Sequence, residues 1–292
     1  MEPSQICGIV ILYRPCEKEL FINLQALVKQ VKNIILIDNT ENSEKDNEIE
    51  KKIKDIYPSD VDYVSLGENT GIAYAQNIGI TKAIEKGFDY FILLDQDSEM
   101  SENLANTLLE SFKALQKRGE KVACVGPKII NKDSQEEYKA LINKGTLTDD
   151  YTEKDAIIAS GTFISKEAIE DIGMMEAKLF IDLVDFEWCW RARSKGYRIF
   201  VDNHAFLYHR VGENNINLFG RYHLIISAPI RYYYQYRNYL RLIRRSYVPT
   251  YWKISELIKK LIEIFVIILM VPPRLKRLHF IFKGIIGGLK RD

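Results

Sequence analysis

The stretch Phe91-Ile92-Leu93-Leu94-Asp95-Gln96-Asp97-Ser98 is an apolar run that ends abruptly in two carboxylates separated by one residue. Its apolar part predicts a buried strand, because short continuous apolar runs are typical of strands covered on both faces. In an open α/β sheet, ligands bind at the carboxyl ends of the strands. Paired carboxylates there suit Mg²⁺ or Mn²⁺, which take oxygen ligands and bridge to phosphates. The alternative is a solvated turn in which Ser98 caps a helix.

The composition indicates a globular protein with one large domain and an extension. The chain has 292 residues, of which 47% are hydrophobic, enough for a sizeable core. Its four cysteines are scattered without a C-x-x-C pair, which favours reduced, buried thiols in a cytosolic protein. No basic segment precedes the apolar residues 6–13, so a signal peptide is not expected.

The net charge of +1 conceals a division of the chain into two parts of opposite sign. Residues 231–292 contain 14 Lys or Arg and 3 Asp or Glu, a net charge of +11. The first 230 residues contain 27 basic and 37 acidic residues, a net charge of −10. Such asymmetry indicates that the basic part faces a polyanionic surface, either a membrane or a nucleic acid.

Strand-like and helix-like segments alternate along the first part of the chain. Short β-branched and apolar segments predict strands, and apolar residues at spacings of three and four predict helices between them. This alternation is typical of βαβ units, so we expect an α/β fold with a mostly parallel sheet. The predicted strands are 6–13, 33–38, 61–66, 88–94 and 122–130, and the predicted helices are 17–31, 71–86 and 103–118.

Polar residues follow three of these strands where each strand ends. Tyr13 and Arg14 follow the first, Asp38 ends the second, and Asp95 and Asp97 end the fourth. The carboxyl ends of parallel strands share one edge, so these side chains are expected at a common site. Asp38 could accept a hydrogen bond from the imide N–H of uracil or thymine, or could simply form a turn. No G-x-G-x-x-G or P-loop motif indicates a dinucleotide cofactor or ATP hydrolysis.

Residues 69–79 predict the start of a helix, with small residues and two amides, Asn69 and Asn77. Small residues allow a ligand to approach the helix N-terminus, where exposed N–H groups favour anions. The alternative is a turn that depends on Gly71 and packs the helix closely on the sheet.

The segment 179–191 combines carboxylates with tryptophans. A helix that begins near Asp185 would place Asp185 and Trp188 on one face, so that an aromatic plane could form one wall of a sugar site. Alternatively, Asp182 or Asp185 caps the helix and the tryptophans fill the core. His209 follows a short apolar run and could bind metal or phosphate, although a lone histidine is more often structural.

Taken in order along residues 6–215, these motifs resemble an inverting glycosyltransferase of family 2 with a GT-A fold. Within that family the pattern is most similar to bacterial rhamnosyltransferases that use dTDP-L-rhamnose. The motifs that carry the resemblance are Asp38, Asn69-x-Gly71-x-Ala73-x-Ala75-Gln76-Asn77-x-Gly79, Asp95-Gln96-Asp97-Ser98, Gly126-Pro127, Ser160-Gly161, Phe180-Ile181-Asp182-x-Val184-Asp185-x-Glu187-Trp188 and His209-Arg210-Val211-Gly212.

The resemblance implies a role for each matching position. Asp38 would hold the pyrimidine base, Asp97 with Asp95 would hold Mg²⁺ or Mn²⁺ and the diphosphate, and His209 would assist there. Asp185 matches the catalytic base. Many family members have Glu immediately before the base where this chain has Val184, so Asp182 stays open as an alternative. The other residues predicted to bind the donor are Tyr13, Arg14, Asn69, Gly71, Asn77 and Gln96.

The basic C-terminal part lies outside the resemblance. Residues 231–239 interleave cations and aromatic rings, and residues 254–265 carry apolar side chains at helical spacing. The apolar run 264–271 is much shorter than the ~20 residues that span a bilayer. We therefore expect a helix on the surface of an anionic membrane. The alternatives are a helical extension that packs on the catalytic domain, a homodimer interface, or a non-catalytic nucleic-acid-binding protein that uses the Tyr/Arg stripe.

The sequence thus predicts a GT-A catalytic domain over residues 1–215 and a helical, basic region over residues 216–292. The expected activity is transfer of L-rhamnose from dTDP-L-rhamnose to a hydroxyl of a lipid-linked bacterial surface polysaccharide precursor, without nucleic acid as a partner. The alternative is a family 2 transferase that uses another dTDP- or UDP-hexose as its donor. The expected location is the cytoplasmic, inner face of the bacterial plasma membrane.

Overall fold

The computed structural model describes residues 6–41, 44–132, 134–137, 148–209, 215–218 and 222–290, and within these the strands form one large sheet and one hairpin. The predicted strand positions are confirmed to within two residues at either end. The strands are β1 Ile6–Leu12, β2 Asn33–Asp38, β3 Val61–Ser65, β4 Tyr90–Asp95, β5 Glu99–Met100, β6 Val122–Asn131, β7 Tyr151–Lys154, β8 Thr162–Ser165, β9 Arg198–His209, β10 Asn215–Leu218 and β11 Tyr222–Ile225.

The helices lie on both faces of the large sheet and in the C-terminal part of the chain. The sequence predicted the helices at 17–31, 71–86 and 103–118, one that begins near Asp185 and one over residues 254–265. The helix at residues 44–56 was missed because its charged sequence has few apolar residues. A short 3₁₀ turn, Ala177–Leu179, precedes α6. The helices are α1 Glu17–Val28, α2 Glu44–Ile56, α3 Ile72–Glu85, α4 Leu104–Lys117, α5 Lys166–Ile172, α6 Val184–Ser194, α7 Pro229–Leu242, α8 Thr250–Met270 and α9 Arg274–Leu289.

The large sheet has the order β3-β2-β1-β4-β8-β6-β9-β5, and β7 pairs with β9. β1 to β4 are parallel to one another, and β6 is parallel to β9. Because β8 is antiparallel to both β4 and β6, the strands β1–β4, β6 and β9 all run in the same direction. The carboxyl ends of these six strands therefore meet at one edge, as expected for a mostly parallel α/β sheet.

Two apolar cores lie on the two faces of this sheet. One packs α3, α5 and α6 against the strands, and the other packs α1, α2 and α4. Burial on both faces explains why the strands have continuous apolar sequences. Three of the four cysteines are buried as expected, but Cys16 is exposed.

The C-terminal helices α7, α8 and α9 form a third, smaller core around Tyr232, Tyr236 and Ile267. Among the described residues, no helix is long and apolar enough to cross a membrane. The division of the chain at residue 215 stays a prediction, and Arg210–Gly212 of the last motif lie outside the described residues.

Candidate active site

Three potential metal ligands meet at the carboxyl edge of the sheet. Asp95 is the last residue of β4, Asp97 lies in the turn that follows, and His209 ends β9. One ligand atom of each lies within 4.8 Å of the others, and all three side chains are partly exposed. Two carboxylates and one imidazole fit a divalent cation such as Mn²⁺, which accepts both oxygen and nitrogen ligands.

The charges of this cluster are coupled. Burial disfavours the charged form of Asp97, but the hydrogen bond and charge of His209 outweigh it, so the pKa of Asp97 is lowered. Burial also opposes the charged imidazole, yet Asp97 and then Asp95 outweigh this effect and raise the pKa of His209. Burial raises the pKa of Asp95, and the nearby Asp97 adds to this shift. A site with two interacting carboxylates therefore favours the approach of a cation.

A serine pair joins the cluster to the neighbouring strand. Ser98 Oγ hydrogen-bonds to Ser160 Oγ and lies 3.2 Å from His209 Nδ1, while His209 Nδ1 lies 3.3 Å from Asp97 Oδ1. The backbone N–H of Asp95 also donates to Ser160 Oγ, at 3.4 Å. The residues around the histidine thus fix its position beside Asp97, where the resemblance implied an assisting role.

Asp185 is linked to this cluster through Ala159, the residue that precedes Ser160. The N–H of Ala159 donates to Asp185 Oδ2 at 3.2 Å, and the N–H of Phe186 donates to Asp185 Oδ1 at 2.9 Å. The dipeptide Ala159-Ser160 therefore contacts Asp185 with one residue and Asp95 with the other. The structure brings the predicted base and the predicted metal ligands together in one site.

The environment of Asp185 favours the protonated carboxyl more than water does. Burial raises its pKa to about 6, and the backbone hydrogen bonds of Phe186 and Ala159 limit this shift. The negative charge of Asp95 adds to the increase. A partly exposed carboxyl with a pKa near the operating pH has the property expected of a general base.

Asp182, the alternative base, has a different environment. Its carboxylate forms an ion pair with Arg231 of α7. Neither Asp182 nor Asp185 caps α6 in the usual way, because the N-cap is Leu183 and it makes no side-chain cap hydrogen bond. The choice between the two carboxylates stays a prediction, but only Asp185 contacts the dipeptide that leads to the metal cluster.

Two residues that were predicted to bind the donor, Tyr13 and Gln96, hydrogen-bond to each other at the edge of the sheet. Gln96 Nε2 donates to the carbonyl of Tyr13 at 3.2 Å, and the N–H of Tyr13 donates to Gln96 Oε1 at 2.8 Å. The Tyr13 ring remains exposed, and the Arg14 guanidinium lies 5.2 Å from its centroid. Gln96 therefore positions Tyr13 and Arg14, and a direct donor contact by Gln96 stays a prediction.

The predicted base-binding residue, Asp38, is turned inward. Its side chain is only 1% exposed, and its carboxylate accepts hydrogen bonds from Tyr63 Oη and from the Thr40 N–H. This is the turn contact that the sequence left open as the alternative. The predicted contact of Asp38 with a pyrimidine stays untested by this geometry.

The start of α3 is built from a network of amides. Asn39 Nδ2 donates to Asn69 Oδ1 at 3.2 Å, and the N–H of Gly71 donates to the same oxygen at 3.1 Å. Gly71 has φ of +87°, and a Cβ there would lie 2.6 Å from the ring of Phe180. Glycine is required at this position both by its backbone conformation and by the contact with Phe180.

Asn77 and Trp188 both hydrogen-bond to the backbone of residues 173–175, and a donor contact by Asn77 stays a prediction. Asn77 Nδ2 donates to the Met175 carbonyl and Asn77 Oδ1 accepts from the Met175 N–H, both at 2.9 Å. Of the two alternatives for Trp188, a wall for a sugar or a place in the core, the structure shows the core. Its side chain is only 2% exposed, and Nε1 donates to the Gly173 carbonyl at 2.8 Å within the core.

Sequence reasoning missed one contribution to the site. Lys132 directly follows β6, and its charge acts on both Asp97 and His209. Its position after the carboxyl end of a strand was the available signal.

The Tyr/Arg stripe of α7 was considered for nucleic-acid binding, but Tyr232, Tyr236 and Arg237 are buried and therefore offer no stacking platform.

This fold and site define a class of enzyme, the glycosyltransferases with a GT-A fold, which use nucleotide-sugar donors. More particularly, the family model for glycosyl transferase family 2 matches residues 9–173, and the chain belongs to that family. The predictions of a GT-A fold and of glycosyltransferase activity are confirmed.

Curated relatives agree with this assignment. The chain is 32% identical over 278 residues to the dTDP-rhamnosyl transferase RfbF of Shigella flexneri, covering 91% of this chain and 88% of that protein. It is also 33% identical over 187 residues to the poly-beta-1,6-N-acetyl-D-glucosamine synthase of Staphylococcus aureus, covering 61% of this chain and 42% of that protein.

Solved structures show the same fold at low sequence identity. A mannosyltransferase from Pyrobaculum calidifontis in complex with GDP-Man and Mn²⁺ has a TM-score of 0.59 and 11% identity, covering 99% of this chain and 88% of its own. GalNAc-T7 with UDP, GalNAc and Mn²⁺ has a TM-score of 0.62 and 18% identity, covering 82% of this chain. The chain spans about half of the GalNAc-T7 chain, at 48%.

Proposed function

We propose that this chain transfers L-rhamnose from dTDP-L-rhamnose to a hydroxyl of a lipid-linked bacterial surface glycan. The observation that carries the proposal is the Ala159-Ser160 dipeptide, which joins Asp185 to the acidic cluster. A base and a cation site on one edge suit a transferase that must activate an acceptor while a diphosphate departs. The similarity to RfbF over most of both chains supports rhamnose as the donated sugar.

Asp95, Asp97 and His209 would hold Mg²⁺ or Mn²⁺ in this proposal, since their ligand atoms lie within 4.8 Å of one another. A bound divalent cation would neutralise negative charge on the nucleoside diphosphate. The complexes of the Pyrobaculum enzyme and of GalNAc-T7 with Mn²⁺ support a metal here. Lys132, at the same edge, adds a positive charge beside the position proposed for the diphosphate.

Asp185 would remove the proton from the acceptor hydroxyl as its oxygen attacks the anomeric carbon. Attack from the side opposite the leaving diphosphate inverts that carbon, so one carboxylate base is sufficient. The two backbone N–H groups that Asp185 accepts from fix the direction of its carboxylate. The partial exposure of the side chain leaves room for an acceptor oxygen.

The proposed donor is tested by a panel of nucleotide sugars supplied with Mn²⁺ and scored for release of the nucleoside diphosphate. We expect dTDP-L-rhamnose to be turned over at least about tenfold faster than dTDP-glucose, UDP-glucose or UDP-N-acetylglucosamine, a preference of ~1.4 kcal/mol or more. Preference for UDP-N-acetylglucosamine would contradict the rhamnose proposal and would favour the activity named for the Staphylococcus aureus relative.

We further propose that α8 and α9 attach the enzyme to the inner face of the bacterial plasma membrane. On α8 two charged side chains, Lys260 and Glu263, are buried against the protein, while Leu261 and Phe265 are 59% and 63% exposed. Large exposed apolar surfaces mark contacts with a partner or a membrane. Anionic lipid is the proposed occupant because residues 231–292 carry a net charge of +11. The other exposed apolar residues of these helices include Ile254, Leu257, Ile258, Ile262, Ile268, Leu269, Met270, Leu275, Phe282, Ile286 and Leu289.

Point substitutions test this attachment better than truncation, because α9 packs directly on α7 and its removal would uncover that helix. We expect the double variant Leu261→Asp/Phe265→Asp to bind anionic phosphatidylglycerol vesicles at least about tenfold more weakly, since two large apolar side chains no longer insert. Co-sedimentation measures the binding. Ile56→Asp is the matched control, because Ile56 is exposed to a similar degree on α2.

Two outcomes would contradict the membrane proposal. One is unchanged sedimentation of the double variant. The other is a wild-type chain that does not bind vesicles but elutes as a dimer, with the double variant eluting as a monomer. The second outcome would assign the exposed face of α8 to a homodimer interface.

A further inference from the structure

The segment that leads into α6 has an unusual backbone. Phe180, Asp182 and Leu183 have φ values of +65°, +66° and +66°, and none of them is glycine. Residues with a Cβ rarely adopt this left-handed region, and they remain there only where the surrounding structure holds them. Asp185 follows Leu183 by two residues, so whatever holds the segment also fixes the start of the helix that carries Asp185.

One buried amide makes three hydrogen bonds to this segment. Asn238 of α7 is 0% exposed, and its Nδ2 donates to the carbonyls of Leu179 at 3.0 Å, Ile181 at 2.8 Å and Asp182 at 3.0 Å. Within the described part of the chain, these carbonyls do not accept hydrogen bonds from the backbone of an α-helix or a β-strand. A single side chain from a distant part of the chain therefore supplies the donors that the irregular backbone needs.

The orientation of the Asn238 amide is fixed by its neighbour. Arg237 Nε and Nη2 donate to Asn238 Oδ1 at 3.0 and 2.9 Å, which turns Nδ2 towards the segment. Arg237 Nη2 also donates to the carbonyls of Lys178 and Leu179, at 3.0 and 2.8 Å. Adjacent residues of α7 thus contact four carbonyls between residues 178 and 182.

Two side-chain contacts also join α7 to this segment. The ring of Phe180 stacks on Tyr234, with centroids 4.7 Å apart and planes 8° from parallel. Arg231 forms its ion pair with Asp182 from the first turn of α7. On the opposite side, the Ala73 N–H of α3 donates to the Phe180 carbonyl at 3.4 Å. The segment is therefore enclosed between α3 and α7.

We propose that Asn238 is a positioning residue that holds residues 179–182, which include the left-handed Phe180 and Asp182, and thereby orients Asp185 towards the acceptor hydroxyl. This inference rests on the proposed role of Asp185 as the base. Asn238 itself lies too deep to touch substrate, and its effect passes through the backbone that precedes α6. The buried part of the Tyr/Arg stripe then serves the catalytic site from within the C-terminal region.

The test uses Asn238→Asp in the full-length enzyme. Aspartate keeps the shape and the oxygen that faces Arg237, but it places a carboxylate oxygen against the three carbonyls. We expect kcat for transfer to fall about 10- to 100-fold, since small displacements of a catalytic group have effects of this size. The dissociation constant for dTDP with Mn²⁺, measured by titration calorimetry, is expected to change less than about twofold, because the donor site lies at the strand ends.

Tyr239→Phe is the matched control on the same helix. Tyr239 is buried and its hydroxyl donates to the Lys253 carbonyl of α8 at 2.9 Å, so its loss weakens α7 packing without touching the segment. We expect this variant to lose thermal stability while kcat stays within about twofold of wild type. A comparable loss of kcat in Tyr239→Phe would show that general destabilisation of α7, rather than Asn238, lowers the rate.

A double-mutant cycle separates this inference from the proposal on which it rests. If Asn238 acts through Asp185, adding Asn238→Asp to Asp185→Asn lowers the residual single-turnover rate by less than about twofold. An equal loss in both backgrounds would overturn the positioning role while leaving Asp185 as the base. An unchanged rate in Asp185→Asn alone would instead remove the proposed base.

Arg231→Gln keeps the inference testable if Asn238→Asp does not fold. The Arg231 side chain is 45% exposed, so the substitution does not threaten the core and removes only the ion pair with Asp182. We expect a several-fold loss of kcat that disappears in the Asp185→Asn background. Full kcat in a folded Arg231→Gln protein, with Asn238→Asp unfolded, would overturn the proposal that α7 orients Asp185.

Discussion

Replacing Asp185 with Asn is expected to lower the rate of sugar transfer by about 10²- to 10⁴-fold, the range that a general base contributes. The amide cannot accept the acceptor proton, yet it retains the size of the carboxyl and an oxygen for one of the two backbone N–H donors. Binding of dTDP is expected to persist, because the proposed base acts on the acceptor hydroxyl and not on the nucleotide. Single-turnover transfer and titration calorimetry measure the two quantities.

The pH dependence of this rate provides a second measurement. Burial raises the pKa of Asp185 to about 6, and the base acts only when it is deprotonated. The rate of transfer should therefore be constant above this pH and fall about tenfold per unit below it. A bound divalent cation would favour the carboxylate, so it would move the fall to lower pH. In Asp185→Asn this limb should be absent.

Asp182→Asn is the comparison that decides between the two candidate bases. Its carboxylate pairs with Arg231, so we expect a loss smaller than that of Asp185→Asn and arising from the weakened hold on the segment. A larger loss in Asp182→Asn than in Asp185→Asn would assign the base to Asp182. It would also remove the basis for Asn238 as a residue that acts through Asp185.

The parts of the site that the sequence predicted are those encoded by a local pattern. An apolar run that stops at Asp95 predicts a strand end, and parallel strands bring such ends to one edge. Asp95 and Asp97 were placed correctly for this reason. The position of Asp185 also followed from a local signal, since α6 begins at Val184, one residue before it.

The parts that the sequence did not predict depend on pairing between distant segments. His209 was named from the resemblance, but its place in the cluster depends on the pairing of β9 with β6, which brings Asn131 opposite His209. Hydrogen bonds from Gln96 to Tyr13 span 83 residues, and those from Asn238 to Leu179 span 59. Local sequence periodicity does not indicate which backbone groups a buried amide side chain will contact. For the same reason, the sequence left Trp188 open between a sugar wall and the core, which it fills.

Asp97→Ala is expected to abolish metal-dependent transfer while the protein remains folded. Asp97 lies in the turn after β4 and its side chain is 33% exposed, so its removal leaves no cavity in the core. The variant loses one of three predicted ligands and the partner that raises the pKa of His209. We expect a rate at least about 10³-fold lower with saturating Mn²⁺, because the loss of several kcal/mol of charge stabilisation gives this factor.

Asp89→Ala is the matched control for Asp97→Ala, since Asp89 is an exposed carboxylate at the opposite end of β4 and should leave the rate unchanged. Titration of Mn²⁺ in the presence of dTDP should show binding to wild type and to Asp89→Ala but not to Asp97→Ala. Asp95→Asn is expected to be milder, because an amide oxygen can still coordinate. If Asp97→Ala transfers sugar at the wild-type rate in EDTA, the cluster is not a metal site and the charge of Lys132 must serve the diphosphate instead.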